Sequence, residues 1–206
     1  MTLRPLSEWE SKRLLGPALP TAREARTTSA AQARAFARDI GAPVVAKASG
    51  VAHKSDAGLV RLGLGPEDAA ACWAELAAAG DGTVLVAEQL RGELELIVGG
   101  SRDPSFGALV TVGLGGVATE VFDDVAVLLA PPEAGELDRA LGRLRGARLL
   151  NGHRGAPPVD RAGLALIVDL VAALLEADPD VVEIDCNPVL VHDGRPTVLD
   201  ALVVKR

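Results

Sequence analysis

Aromatic side chains are nearly missing from this chain, which has no tyrosine, two tryptophans and three phenylalanines among 206 residues. So few rings leave little on which single-stranded nucleic acid could stack, and a formal net charge of −7 opposes the positive field that a duplex requires. Nucleic acid is therefore not expected as a partner. Cysteine is equally scarce. Cys72 and Cys186 stand far apart with no second cysteine or histidine at ligand spacing, which argues against a disulfide framework or a zinc site and predicts two buried thiols. No apolar run approaches the roughly 18 residues that span a bilayer. The opening "MTLRPLSEWESKRLL" also lacks the apolar stretch and cleavage site of a secretory signal. No membrane partner and a cytoplasmic location are the resulting expectations.

What the chain does have is apolar residues, 49% of the total, enough to bury one generous domain or two coupled lobes. Ser7 with Glu10 and Ser29 with Gln32 read as capping boxes opening two helices, and "PALPTAREARTT" between them reads as a loop. "PVVAKAS", "LVRLGL" and "TVLVAEQL" read as strands around a helix opened by Pro66, with Ala69, Cys72, Trp73 and Leu76 on one face. A strand-rich stretch follows: "ELELIVGG", "FGALVTV" and "EVFDDVAVLLA", punctuated by Gly and Pro turns. Helical spacing returns at Leu137, Ala140, Leu141 and Leu144, and again over Leu164, Ile167, Val168, Val171, Leu174 and Leu175.

The closing segment "DVVEIDCNPVLVHDGRPTVLDALVV" reads as two strands joined at Asp193-Gly194, a strong signal for a two-residue turn. With that turn His192 pairs with Arg195, and counting back places Asn187 opposite Asp200. Side chains alternate faces with period two, so Asp185 shares the face of Asn187 and lies diagonal to Asp200. Two carboxylates and an amide oxygen then converge on one spot, a donor set suited to a hard cation such as Mg²⁺. The alternative is a strand face that is merely acidic, and Pro188 or Pro196 could introduce a bulge that slips the register.

Several ordered stretches, "VVAKASGVAHKSDAGLVRLGL", "RDPSFG", "GLGGVATEVFDDVAVLLAPP", "LLNGHRG" and "EIDCNPVLV…VLDALV", resemble the ATP-grasp domain of ADP-forming acetyl-CoA and acyl-CoA synthetases. There the domain forms the β subunit or the C-terminal part of a fused chain; succinyl-CoA synthetase β subunits resemble it more distantly. The resemblance covers nearly the whole chain. It implies an α+β ATP-grasp fold over residues 1–206, with a small lobe near 43–88, a larger lobe formed by 1–42 and 89–206, and ATP or ADP with Mg²⁺ held between the two.

Carried over residue by residue, the resemblance makes Lys47 a phosphate contact, a task suited to a compact point charge. Glu88, Gln89 and Leu90 match the adenine and ribose hinge, Glu95 a further acidic nucleotide contact, and Asp185, Asn187 and Asp200 the Mg²⁺ ligands. Taken singly, Lys47, Glu88 or Glu95 could be a solvated charge at a strand edge. His53 matches the loop histidine that accepts a phosphoryl group and relays it toward a partner carrying the CoA and acyl site, a reaction open to a neutral imidazole nitrogen. "GLGGVA" also fits a shortened dinucleotide pattern, but a glycine loop in which Gly115 and Gly116 let backbone approach phosphates is preferred. Roles for Lys54, Ser55, Asp56, His153 and Arg154 are not assigned, and His192 reads as a turn residue.

Two departures from the family pattern stand out: Leu59 replaces a usual second glycine, and no segment resembles the CoA-binding domain. The implied function is therefore the nucleotide-handling subunit of an ADP-forming acyl-CoA synthetase, in a possible hetero-oligomer with a CoA-binding α-type subunit. A nucleotide-sensing module without phosphoryl transfer and a stand-alone carboxylate ligase are the competing expectations.

Overall fold

The computed structural model describes residues 2–51, 54, 57–116, 124–153 and 155–206. The chain opens with β1 (Arg4–Pro5) and α1 (Glu8–Leu15), continues through β2 (Glu24–Thr27), α2 (Ala30–Ile40), β3 (Val44–Ala48), β4 (Val60–Leu64), α3 (Pro66–Ala71), α4 (Trp73–Ala79) and β5 (Val84–Glu88), and then enters β6 (Leu94–Asp103), β7 (Gly107–Leu114) and β8 (Val125–Leu129). It closes with α5 (Glu136–Arg143), α6 (Ala147–Leu150), α7 (Arg161–Ala177), β9 (Val181–His192), β10 (Arg195–Val198) and β11 (Ala201–Lys205). Two compact units result, one of Ser7–Trp9 with Thr21–Leu90, the other of the residues up to Leu6 with Glu10–Pro20 and Arg91–Arg206.

The smaller unit is built on a four-stranded sheet in the order β2-β5-β3-β4, antiparallel throughout. β3 lies inside it, paired on both sides, with all five residues buried, Lys47 included. The core is made of small side chains. Ala33 and Ala37 of α2 and Ala69 of α3 pack with Leu76, Val44, Ala46, Val84 and Val86. Ser29 caps α2 by accepting from the Gln32 amide at 3.3 Å, while Gln32 Oε1 accepts from the Thr28 amide at 2.8 Å. The reciprocal bond thus reaches one residue further back than a standard capping box. The helix expected from Pro66 is two short helices meeting at Cys72.

The stretch read as a loop from Pro17 to Thr28 contains a strand. β2 pairs along β5 from Glu24↔Ala87 to Thr27↔Val84. With β2 and α2 included, the compact unit extends well beyond the expected span 43–88.

The larger unit holds a seven-stranded antiparallel sheet ordered β1-β11-β9-β6-β7-β8, with β10 also on β9. α7 covers one face with Leu164, Ile167, Val168, Val171, Leu174 and Leu175, all buried. This is the stripe its spacing predicts. Val98, Val110, Val112, Ile184, Cys186 and Val203 meet it from the sheet.

α1 departs from this apolar logic. Positions 8, 11, 12 and 15 form one helical stripe, and its members Glu8, Ser11, Lys12 and Leu15 are all buried. Ser11 Oγ accepts from the Val203 amide at 3.0 Å and Lys12 Nζ donates to the Leu199 carbonyl at 3.0 Å, both in the larger unit.

Both cysteines are free; Cys186 is buried and Cys72 half-buried. Burial, and then the Asp185 charge, pushes the Cys186 thiol up to about 12, and burial also raises Cys72. Because the thiolate is the reactive form, Cys186 is expected to resist a disulfide reagent in the folded chain and to react only after denaturation. Prompt labelling of Cys186 in the native protein would contradict this packing. No helix among the described residues is long and apolar enough to cross a membrane.

Candidate nucleotide and metal site

In the larger unit the closing hairpin adopts the expected register. Asp193 at φ 47 and Gly194 at φ 76 form the turn, with both central residues in the left-handed region that a two-residue hairpin favours. Arg195 pairs with His192, Val198 with Val189, and, beyond the gap between β10 and β11, Ala201 with Cys186. The Asn187 amide donates to the Asp200 carbonyl at 3.2 Å, so the two residues face each other. An irregularity does occur near Pro188, but on the opposite edge of β9. There the pairing with β6 shifts between Leu96↔Val189 and Val98↔Cys186, which leaves the register with Asp200 intact.

Along β9, Ile184 and Cys186 point into the core while Glu183, Asp185 and Asn187 alternate onto the more exposed face. Glu183 was not among the expected site residues, although the same period-two count reaches it. Beside Asp185 on β6 stands Gly99. A depression of about 410 Å3 lies there, lined by Ile97, Gly99, Thr111, Glu183 and Asp185 among others.

Burial, followed by the charges of Glu183 and Asp200, raises the Asp185 carboxyl above the ordinary carboxylate range. Crowded oxygen donors that disfavour ionisation at one of their members are the electrostatic condition a divalent cation relieves. Asp185, Asn187 and Asp200 therefore fit Mg²⁺ in donor chemistry as well as register. No group of three or more His, Cys, Asp or Glu side chains able to hold a metal occurs among the described residues, and this set qualifies only through the asparagine amide.

The raised carboxyl has a consequence for stability. The folded chain binds a proton at Asp185 more tightly than the unfolded chain, so ionisation at neutral pH opposes folding, and the penalty fades as pH falls through the raised pKa. Asp185→Asn is expected to raise the Tm of the metal-free protein near neutral pH, with the difference shrinking toward about pH 4. Melting curves at both pH values check this, and a lower Tm at neutral pH would contradict it.

Glu95 lies on β6 in the same unit, and its carbonyl accepts from the Gly115 amide at 2.7 Å. Gly116 has φ +66, and a Cβ there would sit 2.8 Å from Glu95 Oε2. The glycine pair thus lets backbone run directly along the Glu95 side chain. Residues 117 and 118, the remainder of that motif, lie outside the described residues.

In the smaller unit Lys47 is almost fully buried and does not reach out as a strand-end solvent lysine. Its Nζ donates to Glu8 Oε1 at 2.8 Å, and Lys54 Nζ donates to Glu8 Oε2 at 2.5 Å. The three side chains are only 11%, 4% and 11% exposed for Lys47, Glu8 and Lys54. Sequence reading missed Glu8, which stands 39 and 46 residues from its partners. Burying such ions costs desolvation that apolar residues would avoid, so stability alone is a weak reason for the cluster.

Glu88 closes β5, and its amide donates to the Arg23 carbonyl at 2.8 Å. Gln89 is engaged on both sides, its amide donating to the Pro43 carbonyl at 3.0 Å and its Oε1 accepting from the Gly63 amide at 2.6 Å. Leu90 ends the unit, half-buried. Leu59 packs against the small-unit core, and its amide donates to the Lys54 carbonyl at 2.8 Å. His53, Ser55, Asp56 and Arg154 lie outside the described residues. His153 is exposed, and exposed His192 sits 3.6 Å from Asp193 beside the turn.

Comparison with known proteins adds three findings. A family model described as an ATP-grasp domain matches residues 3–204. Among curated proteins, a trans-feruloyl-CoA synthase from an unknown prokaryotic organism is 38% identical over 96% of this chain and 30% of its own length. The β subunit of the ADP-forming acetate–CoA ligase I of Pyrococcus furiosus is 32% identical over 98% of this chain and 92% of its own. Among solved structures, acetyl-coenzyme A synthetase 1 of Ca. Korarchaeum cryptofilum, in complex with coenzyme A, Ca-AMPCP and HgCl+, superposes with TM-score 0.89 and 31% identity, covering 98% of this chain and 94% of that one. Another structure of that protein contains coenzyme A and Mg-AMPPCP, with its phosphohistidine segment pointing towards the nucleotide binding site. The chain spans about 30% of the length of the first of these curated relatives, and nearly all of the β subunit.

Proposed function

Since this chain belongs to the ATP-grasp domain family, we propose that it is the nucleotide-handling part of an ADP-forming acyl-CoA synthetase, interconverting acyl-CoA, ADP and phosphate with acid, CoA and ATP. The observation that carries this reading is the in-register Asn187 and Asp200 pair with Asp185 on the same face. Asp185, Asn187 and Asp200 hold the metal. When bound, Mg²⁺ supplies charge neutralisation at the nucleotide phosphates.

Lys47 contacts those phosphates as a point charge, Glu95 with Gly115 and Gly116 forms a further nucleotide contact, and Glu88, Gln89 and Leu90 border the adenine and ribose. Gln89 ties that border to β4, its Oε1 accepting from the Gly63 amide. A nitrogen of His53 then forms its bond to the γ-phosphorus as the bond to the bridging oxygen breaks, and ADP leaves with the electron pair. The phosphoryl group passes next to a CoA-binding partner of the α-subunit type, in a cytoplasmic hetero-oligomer.

The test is phosphorylation by γ-labelled ATP. An acid-labile phosphoprotein that vanishes in His53→Ala and persists in His153→Ala supports the relay. Its absence from the native chain would favour a nucleotide-sensing module. Turnover of an acid with an amine or thiol by the chain alone would favour a stand-alone ligase.

A further inference from the structure

The Glu8 cluster is not explained by the assignments above. One carboxylate uses both oxygens, one for Lys47 Nζ and one for Lys54 Nζ. The lysines come from different places: Lys47 from the interior strand β3, Lys54 from the turn that follows it. Without the carboxylate between them, two ammonium groups drawn to one side chain repel, and each sits on a flexible four-carbon stem. Glu8 fixes both nitrogens about a single point. A structural tether would need only one of them.

Building on the phosphate reading of Lys47, we propose that Glu8 is a positioning residue that gathers Lys47 and Lys54 into one cationic pair, and that Lys54 is a second phosphate contact. Lys54 directly follows His53 in the sequence, the residue to which the proposed function assigns the phosphoryl group. Glu8 itself touches no phosphate and acts through the two lysines. Ammonium groups are the right chemistry for this, since each presents a compact charge to a phosphate oxygen without imposing a planar fork.

The experiment is calorimetric titration of the full chain with ADP and, as a phosphate-free probe, adenosine, for the native protein, Lys47→Met, Lys54→Met, Glu8→Gln and the Glu8→Gln/Lys54→Met double variant. Lys54→Met is expected to weaken ADP by about tenfold, the loss of one charged hydrogen bond, with adenosine unchanged. Glu8→Gln is expected to weaken ADP at least as much, again sparing adenosine. The double variant should bind ADP no more weakly than Glu8→Gln, because the effect of Glu8 runs through the lysine.

Equal weakening of ADP and adenosine in Glu8→Gln would overturn the positioning role in favour of a structural one. An unchanged ADP affinity in Lys54→Met would overturn the pairing even if Glu8→Gln does not fold. A Lys47→Met variant with native ADP affinity would overturn the phosphate reading on which the pairing rests. Loss in Lys47→Met beside no loss in Lys54→Met would overturn the pairing alone.

Discussion

His53→Asn is expected to bind ADP and Mg-ATP with near-native affinity and to lose phosphoryl transfer by on the order of 10³-fold or more, as removal of a nucleophile does. Asparagine keeps a polar side chain of moderate size but offers no basic nitrogen to bond to phosphorus. The lysines that meet the phosphates under this account are both paired with Glu8, a contact that the substitution leaves in place, so binding should survive. Two readouts separate the effects: calorimetry for affinity, and acid-labile phosphoprotein formation for transfer. Retained phosphorylation in His53→Asn would remove the relay from the account, and a parallel loss of affinity would make His53 a binding residue.

Asp200→Ala is expected to weaken Mg-ATP by at least the roughly 10- to 100-fold that even outer-shell partners of a metal site cost, much more than it weakens folding. Position 200 lies in the gap between β10 and β11, and its backbone carbonyl accepts from Asn187, a bond that alanine retains. Removing one of the charges that raise the Asp185 carboxyl also relieves repulsion in the metal-free chain. A melting curve alongside the titration distinguishes the two consequences. Native Mg-ATP affinity with native stability would count against the metal site.

The candidate residues of the two units differ in how legible they were. The Asp185, Asn187 and Asp200 set could be read because every step was local: an Asp-Gly turn fixes a register, and period two fixes a face. Pro188 threatened that reading, yet its irregularity falls on the β6 side of β9, a neighbour that counting from the turn does not involve. β2 was illegible for the opposite reason. "EART" has two charged residues in four and only Thr27 fully buried, so its identity as a strand comes from pairing with β5 about sixty residues later in the chain. Nothing in its local sequence singles out Glu8. It pairs with two lysines distant in sequence, and no helical or strand period announces such a contact.

The central claim is that this chain binds adenine nucleotide with Mg²⁺ as part of the recognition. Calorimetric titration of the purified chain with ATP, once with Mg²⁺ and once with a chelator, tests it most directly. The account predicts saturable binding that tightens markedly when the metal is present and loses that gain in Asp200→Ala. Equal binding in the presence of chelator, or no binding at all, would contradict it.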